Sequence, residues 1–145
     1  MTNKTGIKLD IERTLNASID HVFDVLTKAE HIGNWYGPSD EMEIVVHEWN
    51  CQVGGKYRVE FTTPTGETHI AYGEFKEITP HERLAYTWSW ENQPAMESLV
   101  TFRLKADREK TTLTLVHEGF PTEETCEHHK MGWTASLERF VRVVG

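Results

Sequence analysis

The chain has 145 residues, 26% of them charged, and a formal net charge of -8. That length is one domain's worth and lets roughly 70% of the surface of the unfolded chain be buried, so a core forms without staples. The acidic balance, with no basic stripe interleaved with aromatics, excludes nucleic acid as a partner, and no apolar run approaches the roughly 20 residues that a membrane span requires, so no membrane insertion is expected.

Met1 to Gly6 is polar and lacks an apolar signal core, which predicts a cytoplasmic protein. Cys51 and Cys126 read as free, partly buried thiols in such a setting. Ile7, Leu9, Ile11 and Leu15 then alternate with Lys8, Asp10, Glu12 and Arg13, the pattern of a first strand with one wet face. Ser18 is placed to cap a helix, and Val22, Phe23 and Leu26 recur at helical spacing, so Ser18 to Thr27 is a short helix continued after a break by Ala29 to Trp35. Trp35-Tyr36-Gly37-Pro38 stops it, since proline disfavours helix in the residue before it and glycine permits the turn.

Beyond this the period changes from helical to alternating. Met42 to Trp49, Lys56 to Thr62, His69 to Ile78, Arg83 to Trp90, Leu99 to Ala106 and Thr111 to Glu118 are rich in β-branched and aromatic residues. Turn signals separate them at Gly54-Gly55, Pro64-Thr65-Gly66, Thr79-Pro80, Asn92-Gln93-Pro94 and Asp107 to Lys110. Strands joined by short turns make an antiparallel meander. Tyr57, Val59 and Phe61 share a face, as do Leu84, Tyr86, Trp88 and Trp90, and Val100, Phe102 and Leu104, with polar neighbours opposite. One face of the sheet must therefore be covered.

The cover is the last segment, Thr122 to Val144. On a helical wheel Cys126, His129, Trp133, Leu137, Phe140, Val141 and Val144 fall on one side, and Glu127, His128, Glu138, Arg139 and Arg142 on the other. Pro121, a capping Thr122 and the acidic Glu123 and Glu124 mark its start, and Gly145 follows its last apolar residue. Lys130 projects near the middle of the apolar stripe, either snorkelling out or presenting a polar group to a cavity under the helix. A curved sheet gripping this helix is the economical α+β architecture.

The order of elements and the local words resemble the helix-grip fold of the START-like (SRPBCC, Bet v 1-like) superfamily. Within it the chain is similar to bacterial proteins related to the C-terminal domain of the activator of the heat-shock-protein-90 ATPase. The likeness is carried by Trp35-Tyr36-Gly37-Pro38, Gly54-Gly55-Lys56-Tyr57-Arg58, Pro64 with Gly66, and Gly73-Glu74-Phe75 with Ile78 and Pro80. It continues in Arg83-Leu84 with Thr87-Trp88, Glu97-Ser98-Leu99-Val100-Thr101, Thr112 to Leu115 leading to His117-Glu118-Gly119-Phe120, and Gly132-Trp133. The resemblance implies one domain over residues 1–145 with an elongated, mostly apolar cavity between sheet and C-terminal helix, used in the superfamily for lipids, sterols, polyketides, flavonoid-like aromatics or catalysis. It also suggests a role in stress response. The activator carries a separate N-terminal domain that engages the chaperone, whereas this sequence begins at the first strand of the grip domain, so a chaperone partner is not expected.

A search for chemistry leaves little. His128 and His129 are adjacent and point to different sides of a helix, and no metal-binding word with two histidines or two cysteines at ligand spacing exists; a site joining His117, Cys126 and His129 is geometrically imaginable but less economical than hydrogen-bonded histidines. Gly54-Gly55 lies between strands as a turn, Ser89 and Ser98 lack a neighbouring base, and Glu97 reads as a carboxylate bonded to backbone or to an arginine. No metal, cofactor or catalytic residue is called for. The aromatic inventory, taken with the resemblance, predicts a carrier or sensor of a small hydrophobic molecule, monomeric or weakly dimeric. Trp35, Tyr57, Phe61, Tyr72, Trp88, Trp133 and Phe140 would line its cavity, and Lys130 would be a polar anchor. The rivals are a cyclase or hydrolase using Glu97, a histidine or a tyrosine as acid or base, and a chaperone-regulating interaction module.

Overall fold

The computed structural model describes the backbone of residues 6–37 and 39–144, and all their side chains except those of 94–96. Three readings therefore lie outside the described residues: the leading segment up to Thr5, the contribution of Pro38 to the stop, and Gly145 as the helix end. The elements are β1 (Lys8–Leu15), α1 (Ile19–Thr27), α2 (Ala29–Trp35), β2 (Glu43–Trp49), β3 (Lys56–Thr62), β4 (Thr68–Thr79), β5 (Arg83–Trp90), β6 (Gln93–Asp107), β7 (Lys110–Glu118) and α3 (Glu123–Val144). The seven strands form one antiparallel sheet in the order β1-β7-β6-β5-β4-β3-β2, curved around α3, which is the helix-grip arrangement.

Local chemistry accounts for the helix starts. The Ser18 hydroxyl accepts from the N–H of His21 at 3.4 Å, and the Thr122 hydroxyl accepts from the N–H of Thr125 at 3.1 Å, each satisfying a donor the first turn leaves unpaired. Alternation accounts for the outer strands: Tyr57, Val59 and Phe61 on β3 and Leu113, Leu115 and His117 on β7 are buried while their neighbours are not. On β5 the alternation disappears, because Leu84 to Ser89 are all buried in the middle of the sheet. β6 departs from expectation at its start. It runs from Gln93, leaving Glu91-Asn92 as a tight turn with Trp90 opposite Gln93, and a register shift between Trp88 and Trp90 absorbs the mismatch.

Another register shift lies within the β4–β5 pairing, between Phe75 and Glu77. Near it the Tyr57 hydroxyl donates to the Thr87 carbonyl at 2.6 Å, and the Thr87 hydroxyl accepts from the N–H of Glu74 at 2.9 Å. Gly73 makes this possible, since a Cβ there would overlap the carbonyl oxygen of Thr87.

α3 does not lie evenly on the sheet. It packs against α2, α1 and β1, and the residues of its C-terminal half, Leu137, Phe140 and Val144, are buried in the core. Its buried arc is rotated from the expected stripe, away from Lys130, which is exposed, and toward Ser136 and Arg139, which are buried. Arg139, expected on the wet side, spans the gap to α2. Its guanidinium donates to the carbonyls of Tyr36 at 2.5 Å, Gly37 at 3.1 Å and Asn34 at 3.2 Å, and to the Asp40 carboxylate at 2.9 Å. It thus satisfies the orphan carbonyls at the end of α2, where a buried charge is tolerated because it is fully paired. Among the described residues no helix is long and apolar enough to cross a membrane.

Candidate functional site

The rotation of α3 leaves its N-terminal half standing off β3, β4 and β5. Between them is a cavity of about 300 Å³. The α2–β2 connection contributes Tyr36, Gly37 and Met42, and the sheet contributes Phe61, His69, Trp88 and Trp90. α3 closes it with His128, His129, Gly132, Trp133 and Ser136. Gly132 helps to leave the space, since a Cβ built there meets nothing within 4 Å. Among the described residues, those lining it include no Asp, Glu, Lys or Arg, in a chain where those four make up a quarter of all residues.

The aromatic wall is oriented by two imidazoles. The indole N–H of Trp133 donates to Nδ1 of His117 at 2.9 Å, which places the His117 proton on Nε2; that group donates to the Ser98 hydroxyl at 2.6 Å, and Ser98 in turn donates to the Trp88 carbonyl at 3.2 Å. In parallel, the indole N–H of Trp90 donates to Nε2 of His129 at 3.0 Å, and Nδ1–H of His129 donates to the Thr125 carbonyl at 2.8 Å. Burial, reinforced by the neighbouring His129, holds His117 well below the ordinary imidazole range; burial also lowers His129. Both rings are therefore neutral acceptors for their indoles. Their centroids lie 5.3 Å apart, with Phe120 within 5.0 Å of each, so the network forms one rigid wall.

Of the residues expected to line a cavity, the structure brings Phe61, Trp88 and Trp133 to it. Trp35, Tyr57 and Phe140 are core residues behind the wall: Trp35 meets Phe140 edge-on at 4.8 Å and donates its N–H to the Val25 carbonyl at 3.1 Å. Tyr72 and Lys130 require correction. Tyr72 pairs with Arg58 and Ser89 on the opposite face of the sheet, because alternation along β4 puts Ala71 and Phe75 inward. Lys130 lies on the flank that the rotation of α3 leaves in solvent. His69 shares the inward parity of Ala71, a signal available in the sequence that would have replaced Tyr72. Tyr36, Met42, Trp90, His128, His129, Gly132 and Ser136 also line the cavity without having been singled out as lining. Glu97 does not line it, and among the described residues no three His, Cys, Asp or Glu side chains are arranged to hold a metal ion.

The family model described as Activator of Hsp90 ATPase homolog 1-like protein matches residues 16–145. The chain belongs to this AHSA1-like family. The comparison with curated proteins finds no match. Among solved structures, the AHSA1-like chain is similar to protein CV1439 from Chromobacterium violaceum, with a TM-score of 0.86 and 26% identity over 95% of this chain and 97% of that one. It also resembles the AHSA1 protein from Silicibacter pomeroyi, with a TM-score of 0.85 and 20% identity over 94% and 96% of the two chains. A protein from Arthrobacter aurescens matches with a TM-score of 0.84 and 19% identity over 99% and 90%. At these last two identities the likeness is one of fold. The AHSA1-like fold is of the START/SRPBCC type, whose members commonly bind hydrophobic ligands.

Proposed function

We propose that this AHSA1-like protein binds a small hydrophobic or aromatic molecule in the cavity between the sheet and α3, as a carrier or sensor. The observation that supports the reading is the cavity itself: lined largely by aromatic rings, with no Asp, Glu, Lys or Arg among the described residues that line it, and framed by histidines that hold the indoles in place. A volume of about 300 Å³ is what about ten waters fill at roughly 30 Å³ each, near the lower end of ligand pockets. One or two aromatic rings suit it; a sterol or a long acyl chain would have to extend beyond it. Free cysteines at Cys51 and Cys126 accord with a reducing compartment, and we assign the protein to the cytoplasm on that ground.

The experiment is a thermal-shift screen against mono- and bicyclic aromatics, flavonoids, fatty acids and sterols, followed by intrinsic tryptophan fluorescence for the hits. A ligand at about 100 times its dissociation constant adds roughly 2.7 kcal/mol, on the order of 10 °C at this size. The Gly132→Phe variant, which places a ring in the cavity, should stay folded and lose the response. No shift with any ring class at soluble concentrations would sink the reading.

A further inference from the structure

The polar groups around the cavity are of two kinds. His129 on the wall and His117 behind it have both ring nitrogens committed to indole, hydroxyl or carbonyl partners, so neither has a hydrogen bond left for a ligand. The indole N–H groups of Trp90 and Trp133 are consumed by the same bonds. His69 and His128 differ. His128 is exposed and, among the described residues, makes no hydrogen bond or ion pair. His69 has a side chain 41% exposed, and its polar partner is Glu67, which meets Nε2 at 3.6 Å and is itself 71% exposed. These two imidazoles come from β4 and α3 and both line the cavity, with the ring of His69 6.2 Å from that of Trp90. Among the described residues no carboxylate lines the cavity to pair with these two imidazoles, each of which has an N–H to donate, so an anionic acceptor is the head group they suit.

We propose that the cavity takes an aromatic carboxylate of on the order of ten to fifteen non-hydrogen atoms, its ring between Phe61, Trp88, Trp90 and Trp133 and its carboxylate at the mouth between His69 and His128. The assignment rests on the proposed ligand-binding function and names the ligand class for it. Glu67 is the neighbouring charge that opposes the carboxylate; it sits at the solvent side of His69, outside the lining.

The test holds the ring constant and changes the head group: 2-naphthoate, 2-naphthamide and 2-naphthylmethylammonium, each titrated by tryptophan fluorescence at low salt and pH 6.5. Naphthoate should bind at least 5-fold more tightly than naphthamide, and the ammonium more weakly than both. His69→Gln and His128→Gln should each reduce the ratio of naphthoate to naphthamide affinity, and together should bring it near one while naphthamide affinity stays within about 2-fold. His128 is exposed and the His69 side chain is 41% exposed, so the variants should fold, and the amide keeps the ring while removing the charge. Naphthamide binding equal to or tighter than naphthoate overturns the carboxylate assignment and leaves the cavity reading standing, as does a preference unmoved by the double substitution. Tightest binding by the ammonium also overturns it, in favour of an aromatic cation cage. Binding of none of the three overturns the carboxylate assignment, and the wider thermal-shift screen decides whether the cavity reading stands.

Discussion

The indole N–H of Trp133 reaches Nδ1 of His117 at 2.9 Å across the space between α3 and β7, a bond between two fully formed elements that fixes where the aromatic wall stands. Both residues are buried, at 5% and 0% exposure, so neither partner finds water if the other is removed.

Trp133→Phe should therefore destabilise the fold by about 1 to 3 kcal/mol, since it leaves an unpaired acceptor on a buried imidazole. His117→Leu should cost at least as much, as it strands the Trp133 N–H and removes the donor to the Ser98 hydroxyl, which keeps only its bond to the Trp88 carbonyl. Chemical denaturation of the single and double variants would show a coupling of about 0.5 to 3 kcal/mol. Strict additivity would mean that the bond contributes nothing.

Stability should fall as pH drops below about 6.5. Burial lowers both His117 and His129 in the folded state, so between those lowered values and the ordinary imidazole value the unfolded chain binds protons that the folded chain does not. The contribution is complete above pH 6.5 and is lost as the pH falls toward the folded values, with a slope of at most about 1.4 kcal/mol per pH unit for each histidine. Asp40, held low by bonds to Arg142 and Arg139, and Glu91, held low by its bond to Arg58, act only in the more acidic carboxylate range. Urea midpoints at pH 8, 7, 6 and 5 should be level between the first two and then decline. An unchanged midpoint from pH 7 to 5 contradicts the burial of neutral imidazoles.

Arg139→Lys should destabilise by about 2 to 4 kcal/mol, because one ammonium cannot serve three carbonyls and a carboxylate in the planes that the guanidinium reaches. The same change should loosen Tyr36 and Gly37 and so weaken ligand binding in the folded variant. Asp40→Asn should do far less, as that side chain is 65% exposed. Thermal denaturation of the two variants separates carbonyl capping from ion pairing; equal losses would contradict the assignment of roles.

Gly73→Ala should cost about 1 to 3 kcal/mol or more, since the added methyl has to displace the backbone of Thr87. Tyr57→Phe should cost about 1 to 2 kcal/mol by leaving the Thr87 carbonyl without the hydroxyl that replaces its ladder partner. Gly132→Ala, in the interior of α3 with open space around its Cα, should instead stabilise by roughly 0.5 to 1 kcal/mol. Opposite signs at the two glycines, read from the same denaturation assay, are the expected outcome.

What the sequence determined is the part governed by neighbours along the chain. Periods of 2 and 3.6 set the strands and helices within a few residues except at the start of β6, Ser18 and Thr122 set two helix starts, and polar residues opposite Tyr57, Val59 and Phe61 marked one sheet face as covered. Three-dimensional packing decided what depends on residues far apart in sequence. β1 joins β7 rather than another strand because of a register running from Lys8 opposite Glu118 to Leu15 opposite Thr111. α3 is rotated because Arg139 finds four acceptors at the end of α2, and that turn exposes Lys130 and brings Gly132 and Ser136 to the cavity. Whether an aromatic is wall or core follows from the same non-local fit. Trp35 and Trp133 look alike in the sequence, but one donates its N–H to the nearby Val25 carbonyl inside the core and the other to His117 across the fold. Periodicity reports which side of an element is apolar; only the partner across the gap decides whether that side meets another side chain or an open space.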